Sequence, residues 1–233
     1  MTEIIAFLPC RAGSQRVPLK NTRQFADEAH GLLGVKLRQL DACRAIDRIV
    51  LSTNDPAVIA IGEQYASKSS RIVIDHRPDS LCSSATSTDE IVGYVPTIVD
   101  SGAVLWTHVT SPMVGAEQYA GMVDAYRAAI AAGTHDSLMS VTPVQNFLWS
   151  RTGPLNYDRA KEKWPRTQTL EPLFMVNSAA FLIDVGLMAK LDDRVGAKPL
   201  LYDLDEVTAY EVDWEEQFTI AERIFGLRNA AVD

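Results

Sequence analysis

Apolar positions along the chain fall into short runs that alternate between strand-like and helix-like spacing. Ile4-Ile5-Ala6-Phe7-Leu8 is a continuous apolar run closed by Pro9, the pattern of a strand buried on both faces. From Leu32 to Arg44, the residues Leu33, Leu37, Leu40 and Cys43 recur near helical spacing. The stretch 46–53 predicts a second strand, and 56–67 a helix with Pro56 in its first turn. Residues 71–74 form a third short strand pattern. Ser87 and Glu90 make a capping-box pair for a helix running towards Asp100. Gly102 stops that helix before a strand over 103–109. A helix over 116–132, ended by Gly133, and a strand over 137–142 complete the regular part.

This β-α-β-α order predicts an α/β fold with three layers, helices covering both faces of a mostly parallel sheet. Ligands of such sheets sit beyond the carboxyl ends of the strands. Periodicity fades from about 143 to 173, where Trp149, Gly153, Pro154, Tyr157, Trp164, Pro165 and Pro172 fall. An irregular excursion of that length in a compact domain is usually functional, as a lid or a partner contact. Order returns with a strand over 174–183, another around 209–212, and a helix over 214–225. With 233 residues, 47% of them hydrophobic, and no repeat or linker, one domain spanning 1–233 is expected.

The net charge of -8 argues against a nucleic-acid partner. That charge is unevenly placed. No acid lies between Glu3 and Asp27, while Arg11, Arg16, Lys20 and Arg23 all do. A basic island in an acidic chain points to a local anionic ligand; the alternative is a solvated loop with stray charges. No apolar run approaches the roughly 18–20 residues needed to cross a bilayer, so no membrane partner is expected. The first residues lack a basic start and a small-residue cleavage site. Cys10, Cys43 and Cys82 are widely spaced without a C-x-x-C pair, which fits a cytoplasmic protein better than a disulfide framework.

Chemistry concentrates first in Pro9-Cys10-Arg11-Ala12-Gly13-Ser14-Gln15-Arg16-Val17-Pro18-Leu19-Lys20-Asn21, directly after the first strand. Gly13 permits a tight turn in which the amides around Ala12 and Ser14 approach phosphate oxygens. Arg11, Arg16 and Lys20 supply charge for a triphosphate, with arginine able to bond in pairs. Neither G-x-G-x-x-G nor G-x-x-x-x-G-K-[ST] is present, which disfavours a dinucleotide site and a Walker loop.

Arg11, Ser14, Pro18, Lys20 and Asn21 match the loop signature of the acylneuraminate cytidylyltransferases, and the segment resembles that family. The likeness extends through Ser52-Thr53-Asn54-Asp55, Arg77-Pro78, Ser84 to Asp89, and Thr107-His108-Val109-Thr110-Ser111-Pro112. It implies a Rossmann-like nucleotidyltransferase fold with a small excursion for substrate and dimer contacts. It also implies transfer of CMP from CTP to a sialic-acid-like sugar acid. By the resemblance, Asn21, Arg77, Thr86 and Thr88 read base and ribose, where an amide and hydroxyls tell cytosine from uracil by hydrogen-bond polarity. Gln15 stands where lysine is common in the family, and His108 where glutamine is. An imidazole there could orient the anomeric hydroxyl or accept its proton.

Further along, Arg166-Thr167-Gln168 and Asn177-Ser178-Ala179 resemble the family's acid-binding region, with Arg166 a fitting carboxylate partner alongside Gln168 and Asn177. Glu211-Val212-Asp213 stands where the family has Asp-x-Asp. Two residues apart on a strand share a face, so both carboxylates could meet one Mg2+, with Asp213 the safer ligand. Asp203-Leu204-Asp205 has the same spacing but falls too early in the family's register. Arg11, Lys20, His108 and Asp213 are thus the expected catalytic groups, in an expected homodimer. Two alternatives stay open: another sugar nucleotidyltransferase, and a non-catalytic nucleotide-binding protein.

Overall fold

The computed structural model describes residues 2–230. In chain order the first half runs β1 (Ile4–Pro9), α1 (Gly31–Ala42), β2 (Arg48–Thr53), α2 (Pro56–Ala66), β3 (Ile72–His76), α3 (Thr88–Tyr94) and β4 (Ala103–Trp106). The second half runs α4 (Ala116–Ala131), β5 (Ser137–Val144), β6 (Trp149–Ser150), β7 (Gly153–Pro154), β8 (Leu173–Asp184), α5 (Val185–Leu191), β9 (Pro199–Asp203) and α6 (Glu215–Ala230). β1 is buried from Ile4 to Leu8, as its unbroken apolar run requires. It pairs in parallel with β2 and β4, and β3 flanks β2. The seven-stranded sheet has the order β3-β2-β1-β4-β8-β5-β9. Only β8 runs against its neighbours β4 and β5. Helices cover both faces, giving the expected three-layer, mostly parallel α/β fold. No helix among the described residues is long and apolar enough to cross a membrane.

Several elements differ from the sequence pattern, each for a local reason. The capping box forms, with Ser87 and Glu90 exchanging hydrogen bonds, but α3 ends at Tyr94. Pro96 has no N–H to continue the ladder, and the chain tightens into a 3-10 turn over Val95–Thr97. The fourth strand stops at Trp106, where the chain lifts off the sheet into the loop that carries His108. The expected strand around 209–212 does not form, because β9 takes the edge position beside β5. Residues 206–209 turn instead, and one hydrogen bond, Val212 N–H to Thr110 O at 2.9 Å, pins the extended segment that follows. α5 and β9 have no counterpart in the sequence reading. α5 spans only 7 residues and depends on Asp184, whose carboxylate caps the N–H groups of Gly186 and Leu187.

Among the buried charged side chains described, Lys36 lies deepest. Lys36 of α1 is fully buried, and its Nζ donates to Ser111 O (2.9 Å) and Val114 O (3.1 Å) and meets Tyr119 Oη at 2.8 Å. Tyr119 Oη in turn contacts Thr107 Oγ1 (2.8 Å), which donates to Ala179 O. Burial pushes the Lys36 amine well below the usual lysine range. Below the ordinary value of about 10.4 the unfolded chain therefore binds a proton that the folded chain holds less tightly. Stability should therefore rise as pH climbs through the alkaline range towards that value, with a slope from this group of up to about 1.4 kcal/mol per unit. Lys36→Met should flatten that slope, read as urea midpoints across the range. It should also cost about 1–3 kcal/mol at neutral pH through the acceptors left bare.

Candidate active site

The loop after β1 leaves the sheet at Cys10, whose N–H still bonds to Ser52 O at the end of β2. The Cys10 thiol is buried and its pKa is pushed up to about 12, so it offers no nucleophile. Arg11 turns outward, and Gly13 takes φ +77 with open space where a Cβ would stand. That conformation and that clearance are what backbone amides need to approach an anion. Asn54 accepts from Ala12 N–H at 3.3 Å, and Asn21 reaches Arg11 O at 3.5 Å, closing the loop on itself.

Three adjoining cavities open over this loop. One of about 360 Å³ is lined by Arg11, Ser14, Gln15, Arg16, Lys20, Asn21 and His108, among others. A second of about 250 Å³ adds Gly13 and Asp55 to Arg11, Ser14, Lys20 and Asn21. The third, about 220 Å³, brings in Arg77, Thr86, Ser87, Thr88 and Trp106, and again Arg11 and His108. Arg11 therefore borders all three, and His108 joins the first to the third. Sequence positions from residue 11 to residue 108 converge because β1, β2, β3 and β4 end side by side.

Arg77 is only 5% exposed. Its Nε donates to Cys82 Sγ at 3.2 Å, while its Nη2 is buried without a hydrogen-bond partner among the described residues. A buried guanidinium N–H left unsatisfied is costly, and an acceptor arriving in the cavity it lines would remove that cost. Thr86 and Thr88 stand on the same cavity wall, at the capped start of α3.

The cationic loop is closed off by the C-terminal segment. Arg16 pairs with Asp213 Oδ1 at 2.9 Å, Lys20 lies 3.8 Å from the same oxygen, and Lys20 Nζ donates to Val212 O at 3.0 Å. Burial lowers the Lys20 pKa, and the charge of Asp213 works against that shift. Glu211 is not held on a strand face beside Asp213 as the sequence suggested. Its Oε1 accepts the Ser178 N–H. Both carboxylates still border one cavity of about 380 Å³ with Asn177, Tyr210 and Gln217. Among the described residues no group of three or more His, Cys, Asp or Glu side chains is placed to hold a metal ion alone. Two carboxylates beside a cationic loop are nonetheless hard-oxygen donors of the kind Mg2+ would take together with phosphate oxygens. Asp205, the rival acid, caps a turn through Val207 N–H and Thr208 N–H.

His108 accepts the Trp106 indole N–H on Nε2 at 2.9 Å. Burial, followed by the charges of Arg194, Lys20 and Lys36, pushes its pKa down to about 3. The ring is therefore neutral with its proton on Nδ1, a donor with its acceptor nitrogen already used. Sequence reasoning had not singled out Trp106, although an aromatic two residues before His108 on a strand end was the available signal. Arg166 and Gln168 are exposed around the 3-10 turn Thr167–Thr169 and line none of these cavities. Asn177 is buried, and its amide is occupied by Ser140 and Thr142.

A family model described as Cytidylyltransferase matches residues 5–161, and the chain belongs to that family. No curated protein sequence matches it. Among solved structures it is similar to a CMP:2-keto-3-deoxy-manno-octonic acid synthetase complexed with CTP, at TM-score 0.67 and 10% identity over 97% of this chain and 100% of that one. It is also similar to a 4-diphosphocytidyl-2C-methyl-D-erythritol synthase from Anaerococcus prevotii, at TM-score 0.66 and 13% identity over 97% and 96%. A cytidylyltransferase from Leptospira borgpetersenii follows at TM-score 0.60 and 14% identity, over 95% and 86%. At such identities the likeness shows the shared fold.

Asp213 thus occupies cations that a polyphosphate would want. Asp213→Asn should tighten binding of metal-free inorganic triphosphate by about 2–5-fold, the most that a half-exposed ion pair worth up to about 1 kcal/mol allows. Arg16→Ala should weaken it. Isothermal titration in chelator reads both.

Proposed function

We propose that the chain transfers CMP from CTP to the anomeric hydroxyl of a nonulosonic, sialic-acid-like sugar acid, releasing pyrophosphate. The observation that carries this reading is the junction at Arg11 and His108. There a cationic cavity of about 360 Å³ meets a second cavity lined by Arg77, whose Nη2 has no partner among the described residues, and by Thr86 and Thr88. A cytidine fits that division, its base and ribose read by Arg77, Thr86, Thr88 and Asn21 and its triphosphate held over Ala12 to Lys20. The structural neighbour named as a CMP:2-keto-3-deoxy-manno-octonic acid synthetase complexed with CTP supports a sugar acid as the acceptor class.

In this mechanism the acceptor oxygen attacks the α-phosphorus, the bond to the bridging oxygen breaks, and pyrophosphate takes the electron pair. Arg11, Arg16 and Lys20 stabilise charge growing on the non-bridging and leaving oxygens, where preorganised cations are most effective. Asp213, with Glu211, would hold Mg2+, which would supply further charge neutralisation at the phosphates. Asp213 would be free for that role once the triphosphate takes over Arg16 and Lys20. His108, with Nε2 occupied, orients the acceptor as a donor and leaves its proton to other groups or water. In the excursion, Arg166 and Gln168 reach an acid only across an interface. We read the exposed Phe174, Met175 and Val176 of β8 (43%, 57% and 52% accessible) as part of a homodimer contact.

Pyrophosphate release should appear with CTP, Mg2+ and one member of a panel of nonulosonic and shorter ulosonic acids, and not with UTP. Turnover of a sugar phosphate alone would move the assignment to another class of acceptor. CTP binding without turnover of any acceptor would leave a binding protein. Asp213→Ala should lose metal-dependent turnover while keeping its melting temperature within a few degrees. Met175→Asp should yield a monomer by light scattering; an unchanged mass would remove the dimer contact from β8.

A further inference from the structure

Beyond the loop and the carboxylates, one stack of side chains reaches the cleft from the opposite side of the sheet's upper rim. Trp106 and Phe181 face each other across the β4–β8 pair. Arg194, from the loop between α5 and β9, lies 3.9 Å from the centroid of Phe181 and 5.2 Å from that of Trp106. Phe7 meets Trp106 edge-on at 4.9 Å, so the indole is fixed by a ring on one side and a guanidinium on the other. The only polar atom of that indole is its N–H, and it donates to His108 Nε2. His108 in turn borders both the phosphate cavity and the Arg77 cavity.

We propose that Arg194 is a positioning residue for His108: by clamping Trp106 it holds the indole N–H on His108 Nε2, so the ring keeps one tautomer and presents a permanent Nδ1–H donor to the cleft. The donor suits an oxygen of the acceptor substrate at the junction of the two cavities. That target rests on the proposed transfer to an acid, whereas the positioning does not. The charged groups facing His108 act in the same direction. Arg194 approaches from the α5 side, Lys20 from the loop after β1 and Lys36 from α1, and all three oppose an imidazolium, while Arg11 and Arg77 line the cavities that His108 borders. Burial lowers the Arg194 pKa, and the charges of Asp193 and of Asp89 at the start of α3 work against that shift.

The test is 15N–1H correlation spectroscopy of the histidine rings in the ligand-free protein, across about pH 5 to 8 where an ordinary histidine titrates. In the native protein His108 should hold the Nδ1–H tautomer throughout. Trp106→Phe should free Nε2, mix the tautomers and return the midpoint towards the ordinary value of about 6.5. Arg194→Met should move His108 in the same direction, and Arg194→Lys should restore part of the native behaviour by keeping the charge without the planar stack. A native tautomer and native titration in Arg194→Met would overturn the proposal. In turnover, Arg194→Met should raise KM for the accepted acid several-fold and leave KM for CTP unchanged. A change in the CTP value alone would overturn the assignment of the donor to the acceptor. Should no acid turn over, the proposed function fails, and the ring spectra still decide the role of Arg194.

Discussion

The site depends on one buried amine. Lys36 enters the core from α1 and ends among two carbonyls of the loop after β4 and the phenol of Tyr119. Taking an amine out of water is expensive, and only a full set of hydrogen-bond partners makes it tolerable. The carbonyl partners are Ser111 O and Val114 O, so the requirement fixes the path of the loop from Thr107 to Val114. That loop carries His108, and its Thr110 O receives the Val212 N–H. Val212 O then receives Lys20, and Asp213 beside it receives Arg16. A single desolvated group in the core is thereby linked, bond by bond, to the cations that line the phosphate cavity. The same network ties α1 and α4 to β4 and β8 through Tyr119 and Thr107.

Charge in the cleft is arranged as a set of exchanges. Arg16 and Asp213 are each about half exposed, so their contact is worth little and yields readily to a stronger partner. A triphosphate is such a partner for the cations, and a divalent ion for the carboxylate. Arg77 differs because it is buried and its Nη2 has no partner among the described residues to give up. The phosphate end of the cleft can therefore rearrange, while the end assigned to the base is preformed. Discrimination belongs where the structure is rigid, since an unpaired buried donor penalises a ligand that cannot accept from it.

Much of the fold was legible because burial on both faces leaves an unbroken apolar run, as in β1, and because caps such as Ser87–Glu90 are local. What the sequence concealed was non-local. β9 claims the edge of the sheet by pairing with β5, and no local pattern around 209–212 reveals that the place is already taken. α5 is too short for periodicity to register. The basic loop was visible as a charge asymmetry, yet its closure by Asp213 joins residues 197 positions apart. Asn177 read as a ligand contact; its amide satisfies Ser140 and Thr142 inside the sheet, while the residue still borders the cavity of Glu211 and Asp213. A polar residue on a buried strand has to find partners at once, and the nearest ones were on β5.

The two ends of the cleft also differ in what supports them. Residues assigned to the nucleotide stand at strand ends and helix starts, where the sheet fixes their positions. Those assigned to the acid, Arg166 and Gln168, lie on an excursion whose aromatic residues pack mainly on one another: Phe147 on Tyr157 and Trp164, and Arg159 between Trp149 and Trp164. Such a cluster keeps its own shape, and Gln145, just past β5, ties it down by donating to Gln168 O and Leu170 O. Its anchoring is thus separate from the strand ends that carry the nucleotide residues. A change in the excursion could then alter which acid is used while the nucleotide half of the site stays the same.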